Sequence, residues 1–314
     1  MKFVLFTSPL WCGVYADFLL RKKKKLTALV TPPCKKAGRG MRMHESPLKE
    51  NCRNLGIAAF SPESLAKEEF LAEIRNIEPD LGIVVSFGRI IPGILLRLFT
   101  SGMINVHFSL LPNLRGAAPI ERAILSGLEE TGVTVFRMDE GLDTGPVITS
   151  EKLRIGRFET RDELRDRLVL LSLPLLEKTL DAFEKKSISA VPQDGLPVYA
   201  PKIKKEDTLL DWKEDAESVF RRIKAFSHSP GSHTFLPGGK RLKIVSGRPS
   251  DFDSPEKKRP GTLVYSREDG FLVACGRGYL LVKKVQLEGK KQMDSSEFLR
   301  GRPELAGCIL GAGS

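Results

Sequence analysis

The stretch LGIVVSF, Leu81 to Phe87, decides the fold, because Val84-Val85 lies inside an apolar run with no polar alternation. A strand that is apolar on both faces is covered on both faces, and such strands belong inside parallel sheets flanked by helices. Working outward, four more short β-rich runs stand at Lys2–Thr7, Lys25–Thr31, Met103–Phe108 and Thr131–Met138. Glu63 to Ile77 and Ala118 to Leu128, between some of these runs, carry apolar residues at helical spacing. Strand–helix alternation of this kind predicts a doubly wound α/β domain with a mostly parallel, Rossmann-like sheet. Thr160 to Phe183, with Leu164, Leu168, Leu171, Leu175 and Leu176 on one helical stripe, predicts a long helix that closes a first domain over residues 1–186.

The texture then changes. Residues 187–205 hold Pro192, Gly195, Pro197 and Pro201 with little periodicity and read as a linker. A helix is expected over Ala216 to Ala225. Beyond it, short runs at His233–Leu236, Arg241–Val245, Thr262–Tyr265, Phe271–Cys275 and Tyr279–Val285 are separated by Pro-Gly and Gly-Gly turns. Closely spaced short strands predict a small OB-like β-barrel over residues 206–314.

The chain carries 50 Lys+Arg against 39 Asp+Glu, a net charge of +11. Residues 201–314 hold 22 basic against 15 acidic side chains, so this third is the more basic per residue. Such an excess fits a polyanionic partner and equally fits a merely soluble basic protein. The five cysteines are scattered with no C-x-x-C, and there are 4 histidines, so neither a disulfide framework nor a metal site is expected. No run approaches the roughly 18–20 apolar residues of a membrane span, and Met1–Phe6 reads as a first strand rather than a signal peptide. A cytoplasmic protein is expected.

The first strand turns through Thr7-Ser8-Pro9 without G-x-G-x-x-G, and no Walker A, H-E-x-x-H or G-x-S-x-G pattern occurs. What remains is INVHFSLLPNLRGAAPIERAI, Ile104 to Ile124, where a strand ends in Asn105-Val106-His107. Residues i and i+2 share a strand face, so the amide and the imidazole project together at the carboxyl end of a central strand, where open α/β sheets bind ligands. Each residue alone equally serves to satisfy loop backbone. Thr131–Met138 runs into a second polar loop, DEGLDTGP, which holds Asp143. Should Asp143 lie beside His107, the three would suit acyl transfer to an amine, with Asn105 and the imidazole stabilising an oxyanion and Asp143 orienting the ring.

Asn105-Val106-His107, Ser109–Pro112, RGAAPI at Arg115–Ile120, TGVT at Thr131–Thr134 and DEGLDTG at Asp139–Gly145 together resemble the formyltransferases that use 10-formyltetrahydrofolate. Within that family the chain is most similar to those acting on methionyl-tRNA, on three further stretches. TPPCKKAGRGMRMHESPLK, Thr31 to Lys49, resembles the family's exposed basic loop. VYAPKIKKEDTLLDW at Val198–Trp212 resembles the segment between its domains, and Pro260–Arg300 its C-terminal barrel. The first turn departs from the family's Gly-Thr-Pro, and His228-Ser229-Pro230-Gly231 stands where many members have a Pro-Trp-Pro-like stretch.

The resemblance implies catalysis by Asn105, His107 and Asp143, and a folate site lined by Ser109, Leu110, Leu111 and Pro112. It implies tRNA contacts from Lys35, Lys36, Arg39 and Arg42. The implied partners are 10-formyltetrahydrofolate as formyl donor and methionyl-initiator tRNA as acceptor, with no metal, no membrane and a monomeric chain. Two alternatives stay open: formyl transfer to a small amine such as an amino sugar nucleotide, and a non-catalytic RNA-binding protein.

Overall fold

A computed structural model describes residues 1–8, 13–33, 52, 54–252, 258–265 and 270–311. Its first sheet has seven strands: β1 (Lys2–Thr7), β2 (Lys25–Val30), β3 (Ala58–Phe60), β4 (Leu81–Val85), β5 (Met103–His107), β7 (Glu130–Arg137) and β8 (Val147–Arg154). The two-residue β6 (Arg115–Gly116) lies outside it. The spatial order is β3-β2-β1-β4-β5-β7-β8. The pairs from β3 to β5 are all parallel, while β7 runs antiparallel to β5. The mostly parallel α/β sheet expected from the alternation is therefore present.

All five residues of β4 are buried, as the unbroken apolar run required. Val4, Phe6, Val30, Val84 and Phe87 pack on one face with Phe70, Leu71 and Ile74, the apolar stripe of helix α2 (Glu68–Ile77). Helix α1 (Gly13–Arg21) buries Tyr15, Ala16 and Leu19. Burying side chains of this size contributes about 1.5–3 kcal/mol each, which gives the strand ends a firm base. The short α3 (Gly93–Leu96) and α4 (Pro119–Leu125) follow, the latter opened by proline at its first turn. Helix α5 (Arg161–Glu184) is the long helix expected over Thr160–Phe183.

The compact units do not follow chain order. One unit comprises Met1–Ala117, Thr131–Leu153 and Arg167–Ala200; the other takes Ala118–Glu130, Arg154–Asp166 and Pro201–Ser314. The stretch read as a spacer is stitched into the first unit as far as Ala200. Val191 bridges Val147, and β9 (Tyr199–Ala200) pairs in parallel with β6.

In the second unit, helix α6 (Ala216–Ala225) is capped by Asp215, whose carboxylate accepts the Ser218 N–H at 3.0 Å. Its Val219, Phe220 and Ile223 enter a core with Leu242, Ile244, Phe271, Val282 and Phe298. Phe298 belongs to the short helix α7 (Ser295–Arg300). The antiparallel sheet runs β10 (His233–Phe235), β11 (Arg241–Ser250), β14 (Tyr279–Leu287), β13 (Phe271–Ala274), β12 (Leu263–Tyr265), with β15 (Gln292–Asp294) on β14. Residues 308–311 hydrogen-bond to both end strands, through Leu263 N–H to the Cys308 carbonyl and Phe235 N–H to the Gly311 carbonyl. That clasp curls the sheet into the expected barrel-like form.

Candidate active site

β5 lies between β4 and β7, with Asn105 beside Val84 and Phe136, and His107 beside Thr134. The i, i+2 geometry holds: both side chains reach one carboxylate. Asn105 Nδ2 lies 3.4 Å from Asp143 Oδ1, and His107 Nδ1 lies 3.7 Å from Asp143 Oδ2. The site is largely closed to solvent, with 6% exposure for the His107 side chain and 11% for that of Asp143. The Phe136 ring meets the imidazole edge-on at 6.5 Å between centroids.

The imidazole is oriented by the backbone rather than by Asp143. His107 Nε2 lies 2.9 Å from the Leu114 carbonyl, which can only accept, so Nε2 carries a proton. Leu114 adopts φ of 59° in the loop that brings this carbonyl back to the strand end. The 3.7 Å gap between Nδ1 and Asp143 is too long for a hydrogen bond, and the carboxylate acts on the ring through its field. The neutral ring therefore leaves Nδ1 as an acceptor. Donation from Nδ1 requires the imidazolium, in which both ring nitrogens carry protons.

Asp143 sits in the left-handed region, φ 54°, at the tip of the loop after β7. Its Oδ2 accepts the Gly116 N–H at 2.8 Å. The loop closes on itself, Arg137 N–H to the Pro146 carbonyl at 3.0 Å, and Thr144 Oγ1 donates to Asp139 at 2.6 Å. Gly145 is fixed by space: a Cβ there would collide with the Arg137 carbonyl.

Ser109 is buried and points inward, its hydroxyl donating to the Asn113 carbonyl while its own carbonyl accepts from Thr134 Oγ1 at 2.7 Å. The Leu111 N–H also reaches Thr134 Oγ1, at 3.2 Å, and Leu110, Leu111 and Pro112 are half-buried. This segment thus holds its own loop in shape, and Ser109 offers no outward hydroxyl. Lys35, Lys36, Arg39 and Arg42 lie outside the described residues. At the departed first turn, the Ser8 hydroxyl lies 2.6 Å from the Ser86 carbonyl and 2.9 Å from that of Phe87, linking the exits of β1 and β4. Among the described residues no group of three or more His, Cys, Asp or Glu side chains could hold a metal ion, and no helix is long and apolar enough to cross a membrane. Sequence reading gave Gln193 no role, yet its amide contacts the Asp143 loop; one polar side chain in a Pro- and Gly-broken stretch carries no pattern to betray this.

An amide and an imidazole thus stand beside one largely enclosed carboxylate at the carboxyl end of an inner strand of a mostly parallel sheet. Residues 1–177 match the family model described as formyl transferase, and residues 202–303 match the formyl transferase C-terminal domain. The chain belongs to the formyl transferase family. It is 40% identical over 315 residues to the methionyl-tRNA formyltransferase of Lachnospira eligens, covering 99% of this chain and 100% of that one. To the methionyl-tRNA formyltransferase of Geobacter metallireducens it is 38% identical, covering 94% and 92%. A crystal structure of HypX from Aquifex aeolicus in complex with tetrahydrofolic acid shares the fold, with a TM-score of 0.64 at 18% identity. The match covers 95% of this chain and 46% of the longer HypX chain.

Proposed function

We propose that this protein transfers the formyl group of 10-formyltetrahydrofolate to the α-amine of methionyl-initiator tRNA. The observation that carries the reading is the Asn105–His107–Asp143 cluster in a chain whose near-full-length relatives are named methionyl-tRNA formyltransferases. The residues fit a formyl donor. Asn105 and His107 bring two nitrogen groups to one strand end beside Asp143, and the hydroxyl two residues beyond His107 is already committed to a carbonyl, so the acceptor amine attacks directly.

The donor supplies a formyl carbon bonded to N10; the amine forms a bond to that carbon and the carbon–N10 bond breaks. Asn105 Nδ2 and protonated His107 Nδ1 hold the formyl oxygen as negative charge grows on it, and their bonds to it are strongest at that moment. The Asp143 carboxylate stabilises the imidazolium, accepts the proton lost by the amine and returns it to N10. Gly116 N–H keeps the carboxylate in place between the two. Ser109 to Pro112 border the folate site through the shape of their loop.

Lys35, Lys36, Arg39 and Arg42 neutralise phosphates at the acceptor end of the tRNA, and exposed Lys240, Arg241, Arg248 and Lys284 of the second unit track its backbone. The protein works as a monomer in the cytoplasm. Acceptor choice tests the proposal. Methionyl-initiator tRNA and an amino sugar nucleotide are offered in parallel with 10-formyltetrahydrofolate, and the products are identified by mass. Formylation of the tRNA alone is expected, and faster formylation of the sugar amine would overturn the assignment.

A further inference from the structure

Within the stretch 191–199, every residue is exposed except Gln193. That side chain is turned inward onto the Asp143 loop. Its Nε2 donates to the Asp143 carbonyl at 2.8 Å and to the Gly145 carbonyl at 2.8 Å. Its Oε1 accepts from Arg115 twice, Nε at 3.1 Å and a terminal guanidinium nitrogen at 2.7 Å. The partners fix the amide orientation, since carbonyls only accept and a guanidinium only donates.

The backbone bonds around Gly116 explain what this arrangement achieves. Arg115 N–H donates to the Val198 carbonyl and Ala117 N–H to the Ala200 carbonyl, so the intervening Gly116 N–H faces the other way, toward Asp143. Asp143 is thereby held from both sides: its carboxylate by Gly116 and its main-chain carbonyl by Gln193. Its left-handed backbone, φ 54°, is unfavourable for a residue with a Cβ and persists only where neighbours enforce it.

We infer that Gln193, anchored by Arg115, is a positioning residue for Asp143, and that the segment between the two family domains is a working part of the active site. The inference rests on the formyl-transfer reading for its kinetic consequence. A loosened Asp143 carboxylate no longer faces the imidazole at the distance its field requires, while substrate-binding groups elsewhere are untouched. The effect therefore falls on kcat and spares KM.

Gln193→Glu is the discriminating variant, because its carboxylate keeps both Arg115 bonds but offers no N–H to the two carbonyls. Gln193→Met removes both halves. Formyl transfer to methionyl-tRNA is measured with wild type and variants, together with Tm and with amide hydrogen exchange at Gly116. Expected for both variants is a kcat loss of roughly 10- to 100-fold with both KM values within about twofold. Gly116 exchange rises, and Gln193→Glu keeps the wild-type Tm. Arg115→Met added to Gln193→Met costs little more than either alone, as expected for groups acting in series. Wild-type kcat in Gln193→Glu, or unchanged Gly116 exchange, overturns the inference. An inactive wild type instead refutes the proposed function, and the Gly116 exchange still decides the positioning role.

Discussion

Asp143→Asn removes one charge while leaving the loop nearly its own shape. The asparagine oxygen can still accept the Gly116 N–H, now 2.8 Å from Oδ2, so the fold of the loop is retained. Its Nδ2 must then face Asn105 Nδ2, at the position where Oδ1 now lies 3.4 Å away, and two donors meet. The larger loss is electrostatic. At 3.7 Å the carboxylate attracts a charged imidazole by about 4 kcal/mol at an effective dielectric of about 20. Partial exposure of the aspartate reduces this, leaving an expected fall in kcat of roughly 100- to 1,000-fold, or about 3–4 kcal/mol of barrier. Single-turnover formyl transfer to methionyl-tRNA at saturating donor is the assay, with Tm as the control for folding. A variant within about threefold of wild type, at unchanged Tm, would refute the role given to the carboxylate charge.

Gly145→Ala places a methyl against the Arg137 carbonyl, so it destabilises by about 1–3 kcal/mol in urea unfolding and lowers kcat through the displaced Asp143 loop; unchanged stability and rate would contradict the steric reading. Lys224 is buried on α6, with Nζ 2.5 Å from the Arg157 carbonyl and 4.9 Å from the centre of the Phe220 ring. Desolvation holds its ammonium below the ordinary 10.5, with Glu217 opposing. The unfolded chain then binds more protons in the window below 10.5, so wild-type stability rises relative to Lys224→Met as pH climbs through it. A difference independent of pH in urea titrations would contradict this. Lys243, lowered by burial in both proteins, cancels from the comparison.

The parts of this fold written in side chains were legible; those written in backbone bonds were not. β4 could be read because burial on both faces demands an apolar run, and α5 because its leucines repeat at helical spacing. β8 was missed: the sequence VITSEKLR lies at the sheet edge with most of its outer half exposed, so neither face requires apolar residues. The stretch 187–205 read as a spacer because its attachments to the first unit are main-chain bridges and one amide side chain, none of which has a period.

In the site, the shared face of Asn105 and His107 followed from strand geometry, whereas the meeting with Asp143 depends on β7 pairing antiparallel beside β5, a long-range choice no local pattern encodes. The Leu114 carbonyl, which orients the imidazole, was likewise invisible: any residue supplies a carbonyl, and only the turn decides where it points.

The central claim is that Asn105 and His107 together hold the formyl oxygen while charge develops on it. The most direct test is single-turnover formyl transfer by Asn105→Ala and His107→Asn, with the donor Kd measured separately. The account predicts a loss of roughly 100-fold or more in the chemical step for each variant, with donor affinity within about twofold of wild type. A wild-type rate in either variant, or a loss confined to donor affinity, would contradict it.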